Sequence, residues 1–195
     1  MTKTGIIIRM WHRDTKQFEW RLAYFTACVL PRLRKQTMDD FEIAILADPL
    51  DFSALYALDE KIRPFTLKNQ GYDYRRDGGN FSMADTDGLP HYDTQVRLDS
   101  DDLVDKYFIE MIHKTATQQV SFQPELFLLN ELSIKKMRHR YRPDWPSMFL
   151  AVKNYDECIY HKPFLHFNEL PCKLHPEGTA WMTIHDTNHG THKNS

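Results

Sequence analysis

The chain has 195 residues, of which 42% are apolar and 13% aromatic, and its formal net charge is −2. This length and composition allow one globular domain with a substantial core, and they exclude a disordered chain or two full domains. The small net charge argues against general nucleic-acid binding, because no large positive field is present to attract a polyanion.

Membrane insertion and secretion are not expected from the sequence. No apolar run approaches the roughly 20 residues that span a bilayer, and the apolar stretch at residues 6–8 is too short for a signal peptide. Three cysteines cannot form a complete set of disulfides, and reduced thiols fit the cytosol. We therefore expect a cytoplasmic protein without a transmembrane segment.

The first third of the chain alternates between strand and helix patterns. A β-branched run at residues 6–8 predicts a buried strand, and apolar residues at three- and four-residue steps predict an amphipathic helix over residues 18–33. A strand at residues 41–47, a helix at about 53–61 and a strand at 62–67 follow. This order predicts an α/β fold with a mostly parallel central sheet flanked by helices, in which ligands bind at the carboxyl ends of the strands.

The rest of the chain is less regular. A long polar segment, residues 68–91, precedes a strand at 94–98 and a segment of helical period that begins at Leu103. Further strands are expected at residues 127–129, 148–152 and 180–184. We assign residues 1–185 to a single Rossmann-like domain and residues 186–195 to a polar tail.

The cluster Asp99-Ser100-Asp101-Asp102 follows the strand at residues 94–98 directly. Mg²⁺ and Mn²⁺ prefer oxygen ligands, and alternate residues at a strand end lie on the same side of the chain. A divalent cation there would stabilise the diphosphate that leaves when a sugar is transferred from a nucleotide. The alternative is structural, with Ser100 or Asp101 capping a helix that follows at once. A calcium loop is excluded, because Leu103 and Val104 stand where an oxygen ligand and glycine are needed.

Several stretches resemble the rhamnosyltransferase family of GT-A glycosyltransferases. The Arg-Leu-Asp-Ser-Asp-Asp segment at residues 97–102 is similar to the family's RLDxDD motif, a DxD motif. Residues 24–48, 146–152 and 181–188 resemble further parts of the family in the same order. The resemblance implies a GT-A-like fold and transfer of a hexose or deoxyhexose, such as rhamnose, from a nucleotide-sugar donor to a glycan or glycolipid acceptor.

The same resemblance guides the assignment of site residues. Nucleotide-sugar binding is expected from Asp48, Arg97 and Asp99, and Mn²⁺ or Mg²⁺ is expected on Asp99, Asp101 and Asp102. His185, at the end of the last predicted strand, is the expected fourth metal ligand, because imidazole binds Mn²⁺ without adding negative charge. If the reaction inverts the anomeric centre, a carboxylate must accept the acceptor's proton. The candidate bases are Asp144, Asp156 and Glu157.

A second class of function stays open at this point. Cys158 and His161, and likewise Cys172 and His175, have the paired spacing of a tetrahedral zinc site. Zinc on these four residues would indicate a non-catalytic, metal-stabilised interaction module instead of an enzyme.

Overall fold

The computed structural model describes residues 3–10, 15–68, 86, 88–130, 133–137, 149–160, 170–175 and 178–184. Within these ranges the helices are α1 (Thr15–Tyr24), α2 (Leu30–Arg34), α3 (Phe52–Tyr56) and α4 (Phe108–Lys114). The strands are β1 (Thr4–Arg9), β2 (Phe41–Ala47), β3 (Ile62–Thr66), β4 (Thr94–Asp99), β5 (Leu103–Val104), β6 (Gln119–Phe122), β7 (Glu125–Asn130), β8 (Ser133–Met137), β9 (Leu150–Lys153), β10 (Cys172–His175) and β11 (Ala180–Ile184).

The strands form two sheets. The larger sheet has seven strands in the order β10-β6-β9-β4-β1-β2-β3, and the smaller has four in the order β5-β11-β7-β8. Strands β4, β1, β2 and β3 run parallel to one another, whereas β9 is antiparallel to both β4 and β6. The predicted α/β fold with a mostly parallel central sheet is confirmed.

The helices pack on one face of the larger sheet. Apolar side chains from α1 to α4 contact the side chains that β1, β2 and β4 direct to that face, and together they form the main core. The opposite face is covered mainly by the segments around residues 89–92 and 155–160, which form a second core with Ile7 and Leu46. In the described part of the chain, no helix has the length and apolar character needed to cross a membrane.

The first predicted helix is present but contains a wider turn. Helix α1 passes into a π-helical turn, Phe25–Val29, and continues as α2 to Arg34. Pro31 lies in the first turn of α2, so the helix extends past this residue. Because proline has no N–H to donate to the preceding turn, a local change of helical period just before it is a common accommodation.

The expected helix after β4 begins later than its apolar pattern indicates. Leu103 belongs to strand β5, which pairs antiparallel with β11 from the far end of the chain, and α4 begins only at Phe108. The strand at residues 180–184 is confirmed as β11, although it belongs to the smaller sheet. Pairing between distant segments outweighs local periodicity at both places.

Gly5 in β1 lies directly beneath the ring of Tyr92. A Cβ atom at this position would be 2.4 Å from Cδ2 of that ring. The ring is held in place because the Tyr92 hydroxyl donates to Glu42 at 3.0 Å and the Lys3 ammonium lies 5.1 Å from the ring centroid. The absence of a side chain at residue 5 therefore allows Tyr92 to cover this face of the sheet.

We expect Gly5→Ala to lower the free energy of unfolding by about 1–3 kcal/mol, the usual cost of overpacking a core. Urea denaturation monitored by circular dichroism measures the change. In a Tyr92→Ala background the same substitution should cost much less, because the clashing ring is gone. An equal cost in both backgrounds would show that the contact with Tyr92 is not the cause.

Candidate functional site

Residues Asp99 to Asp102 form a tight turn, called here the acidic turn, between the two sheets. Its backbone closes through the Asp102 N–H, which donates to the Asp99 carbonyl at 3.2 Å. β4 ends at Asp99 in the larger sheet, and β5 begins at Leu103 in the smaller one. The helix-cap alternative for these residues is wrong, because α4 begins at Phe108 with Tyr107 in the capping position.

The parallel strands bring further polar residues to the same edge of the sheet. Arg9 at the end of β1 is paired in register with Asp99 of β4 and Leu46 of β2. Asp48 follows β2 directly, is partly buried, and accepts a hydrogen bond from the Leu50 N–H at 3.0 Å. Asp48 therefore caps the turn that follows β2, and the residue also lies at the predicted carboxyl edge.

Arg97 and Asp99 lie on the same face of β4, beside the ring of Tyr160. The guanidinium carbon of Arg97 is 4.6 Å from the ring centroid and that of Arg9 is 5.7 Å away, so two cations contact one aromatic ring. The Tyr160 hydroxyl lies 3.2 Å from the Leu98 carbonyl and 3.4 Å from Asp99 Oδ1. Burial, reinforced by the negative charge of Asp99, raises the pKa of Tyr160, which therefore remains a hydrogen-bond donor.

These contacts place Arg97 beneath the site instead of on its surface. Its side chain is fully buried, with 2% of the residue exposed. In this structure Arg97 packs against the ring of Tyr160, and its direct contact with a nucleotide-sugar donor stays a prediction. Arg9 was not singled out in the sequence, although it is the polar residue that ends the first buried strand and is only partly buried.

The other two carboxylates of the acidic turn are buried. Asp101 is 3% exposed and Asp102 is 2% exposed, and Ser100 between them and Asp99 is completely covered. Arg21 of α1 reaches the turn: its Nη1 donates to Ser100 Oγ at 2.9 Å and lies 3.7 Å from Asp101 Oδ2. A buried carboxylate needs such a compensating charge, because leaving water costs the charged form heavily.

Arg21 was also missed in the sequence, although a signal was present. It stands three residues after Phe18 and four before Phe25, on the stripe of α1 that packs against the core. A charged residue on the apolar face of an amphipathic helix needs a buried partner. That pattern identifies Arg21 as a residue with a specific contact, although it does not reveal which one.

The predicted metal ligands are only partly brought together. In the ranges that the structure describes, no three His, Cys, Asp or Glu side chains are arranged to hold a metal ion. His185 lies outside the described residues. β11 ends at Ile184 and is antiparallel to β5, so it runs back toward the acidic turn that precedes β5.

The candidate bases do not converge on the acidic turn in the described part of the chain. Asp156 and Glu157 are exposed and follow β9, whose end pairs with the start of β4 at Thr94. The carbonyl of Glu157 accepts from Gln95, four residues before Asp99 on β4. At about 3.3 Å per residue, this is roughly 13 Å along the strand. Asp144 lies outside the described residues.

The predicted zinc site is wrong, because Cys172 and His175 cannot bind one metal ion together. Cys172 and His175 are an odd number of residues apart on β10, so their side chains lie on opposite faces. Cys172 contacts the Ser121 side chain, whereas His175 stacks on Phe122 and lies 3.0 Å from Thr115 Oγ1. Burial lowers the pKa of His175 from its usual value. Cys158 is buried in the second core, and His161 lies outside the described residues.

Comparison with solved structures identifies the fold. The chain is similar to S. aureus TarS 1-349 in complex with UDP-GlcNAc, with a TM-score of 0.59, 12% sequence identity and 96% of this chain covered. It is also similar to TarS 1-349 in complex with UDP, with a TM-score of 0.51, 12% identity and 93% covered. The chain spans 60% of the length of TarS 1-349 in both comparisons. The likeness shows a GT-A fold.

Comparison of the sequence with known families gives a more direct result. No curated protein matches the chain. Residues 9–194, which include all the strand-end residues described above, match the family described as "Putative rhamnosyl transferase". With nearly its whole length matched, this chain belongs to that family of glycosyltransferases.

Proposed function

We propose that this domain transfers a sugar, rhamnose by the family description, from a nucleotide-sugar donor to a glycan or glycolipid acceptor. The observation that carries the proposal is the position of the acidic turn. It lies at the carboxyl end of β4, at the sheet edge where β1 ends at Arg9 and β2 leads into Asp48. Ligands of open α/β sheets bind at this edge. The binding of UDP-GlcNAc by TarS, which has the same fold, supports a nucleotide-sugar donor.

Each strand-end residue has a chemical role in this proposal. Asp48 accepts hydrogen bonds from the nucleoside, and Arg9 offers a positive charge to the diphosphate beside Asp99. Asp99 is the most accessible carboxylate of the acidic turn, since Asp101 and Asp102 are buried. The buried ring of Tyr160 contacts both Arg9 and Asp99, and it excludes water from their inner side.

The donor atoms of the acidic turn are of the kind that a hard divalent cation prefers. Its donors are carboxylate oxygens, and such cations are held by one or two carboxylates together with substrate phosphates and water, without a complete protein cage. Mn²⁺ or Mg²⁺ bound there would neutralise the charge that develops on the leaving diphosphate. Asp99, Asp101 and Asp102 are the residues that would hold it, with His185 as the predicted further ligand.

If the reaction inverts the anomeric centre, a carboxylate must accept the acceptor's proton. Of the three predicted carboxylates, Asp156 and Glu157 lie toward the opposite end of β4. Asp144 lies outside the described residues. All three carboxylates stay candidates for this role, to be tested by substitution.

Thermal-shift measurements on a panel of nucleotide sugars, with and without Mn²⁺, test the function directly. A ligand that binds only the folded state raises the melting temperature, and 100-fold excess over Kd adds about 2.7 kcal/mol. We expect stabilisation by a nucleotide sugar that depends on Mn²⁺ or Mg²⁺. A panel that includes nucleotide-activated rhamnose and shows no stabilisation under any condition would contradict the proposal.

We expect Asp101→Asn to abolish Mn²⁺-dependent binding of a nucleoside diphosphate. Asparagine keeps the shape of the side chain but removes the charge that attracts a hard cation. Isothermal titration with Mn²⁺ present measures the affinity, and circular dichroism confirms folding. Asp40→Asn is the matched control, because Asp40 is exposed at the opposite end of β2. Unchanged affinity in folded Asp101→Asn would remove Asp101 from the metal site.

Substitutions at Asp48 separate a nucleoside contact from a turn role. Asp48→Asn keeps the hydrogen bond to the Leu50 N–H, since asparagine caps as well as aspartate, whereas Asp48→Ala removes it. We expect both variants to weaken nucleotide binding at least fivefold. Weakening in the alanine variant alone would assign Asp48 to the turn, and affinities within twofold of wild type in both would exclude the contact.

We expect His185→Ala to weaken Mn²⁺ binding at least tenfold in the presence of a nucleoside diphosphate. The reason is the direction of β11, which runs toward the acidic turn and ends at residue 184. Electron paramagnetic resonance of free Mn²⁺ measures the affinity. His189→Ala, four residues further along, is the control and should leave it unchanged. Equal affinities in wild type and His185→Ala would exclude His185 as a ligand.

A further inference from the structure

Arg21 connects helix α1 to the acidic turn through the core. The residue lies in the second turn of the ten-residue helix, and only 8% of it is exposed. It contacts the turn 79 residues further along the chain at two adjacent points, Ser100 Oγ and Asp101 Oδ2. One guanidinium nitrogen, Nη1, makes both contacts, so a single group of α1 contacts two neighbouring residues of the turn.

The two contacts differ in character. The bond to Ser100 Oγ, at 2.9 Å, has the length of a normal hydrogen bond, whereas the contact with Asp101 Oδ2, at 3.7 Å, is an ion pair beyond hydrogen-bond distance. Neither partner can move freely, because Ser100 is fully covered and Asp101 is 3% exposed. Little water screens the charges in such buried surroundings, so the attraction between Arg21 and Asp101 is strong enough to orient the Asp101 carboxylate.

Stability alone is a poor explanation for this arginine. Its Nε is buried and has no hydrogen-bond partner among the described residues. A buried donor without a partner is destabilising, and a buried ion pair is often no more stabilising than apolar residues of the same size. An apolar residue would continue the stripe of Phe18 and Phe25, so the charge at residue 21 has a purpose other than core packing.

We propose that Arg21 is a positioning residue for the donor site: it holds the acidic turn in the conformation that receives the cation and the diphosphate. The inference rests on the proposed function. Arg21 fixes Ser100 by its hydrogen bond and orients the Asp101 carboxylate by its charge. Its positive charge also compensates the buried carboxylate of Asp101 before any cation binds. Arg21 itself is covered, and it acts on the donor only through the turn.

Amide hydrogen exchange measured by NMR on the full chain tests this role without any ligand. The Asp102 N–H, bonded to the Asp99 carbonyl, reports closure of the acidic turn, and the Met10 N–H, bonded to the Leu46 carbonyl at 2.8 Å, is the reference. In Arg21→Met we expect Asp102 to exchange at least tenfold faster relative to Met10. Arg21→Lys, which keeps the charge, should restore part of the protection.

Ser100→Ala and Arg34→Met complete the set of variants. Ser100→Ala removes the hydrogen bond, leaves the charge pair in place and should speed Asp102 exchange at least threefold, which keeps the test available if Arg21→Met does not fold. Arg34→Met is the matched control, because it removes another helical arginine whose ion pair, with Asp59 at 2.7 Å, lies elsewhere. It should leave Asp102 exchange unchanged.

The second measurement is the affinity of UDP for each variant in the presence of Mn²⁺. We expect Arg21→Met to weaken it at least fivefold, Arg21→Lys to recover part of the loss, and Arg34→Met to match wild type. Asp102 exchange within twofold of wild type in each of Arg21→Met and Ser100→Ala that folds, with wild-type binding intact, would overturn the positioning role alone. If wild type itself binds no nucleoside diphosphate or nucleotide sugar, the proposed function is overturned and the positioning role falls with it.

Discussion

The parallel pairing of β1 with β2 and β4 is the constraint on which the site depends. This register places Arg9 beside Asp99 and brings the end of β2, with Asp48, to the same sheet edge. A shift of one residue in any of these strands would reverse which side chains face the core and would move the polar strand ends to the wrong face. The uninterrupted apolar residues of β1 and β2, buried on both sides, make such a shift very costly.

Charge balance is the second requirement. Three carboxylates occur within four residues, two of them buried, and arginines approach them from different elements of the fold. Arg21 contacts the turn from the helical side of the sheet, while Arg9 and Arg97 contact Tyr160 on the other side. The acidic turn is therefore bracketed by positive charge within the protein. A bound cation would add to an arrangement that is already partly neutralised.

Local patterns in the sequence were sufficient for the parallel part of the fold. The apolar runs and the helical stripe predict β1, β2, β3, β4 and the first helix, because burial in these segments follows short-range periodicity. The two-residue strand β5 and the late start of α4 were not predictable in this way. Both depend on β11, about 75 residues away, and on Gln36, whose side chain bonds the Asp105 carbonyl and the Ile109 N–H. The acidic turn and Asp48 were identified from the strand ends, whereas Arg21 required knowledge of what α1 packs against.

The pairing of β5 with β11 has a consequence for how the molecule is made. Residues 103 and 104 are synthesised long before residues 180 and 181, with which they pair. Contacts of such large sequence separation form late, because the entropy of closing the intervening loop must be overcome first. At a synthesis rate of about 5–20 residues per second, β5 leaves the ribosome several seconds before its partner strand β11. The larger sheet has most of its strands by then, so the pairing of β5 with β11, directly after the acidic turn, is expected among the last contacts to form.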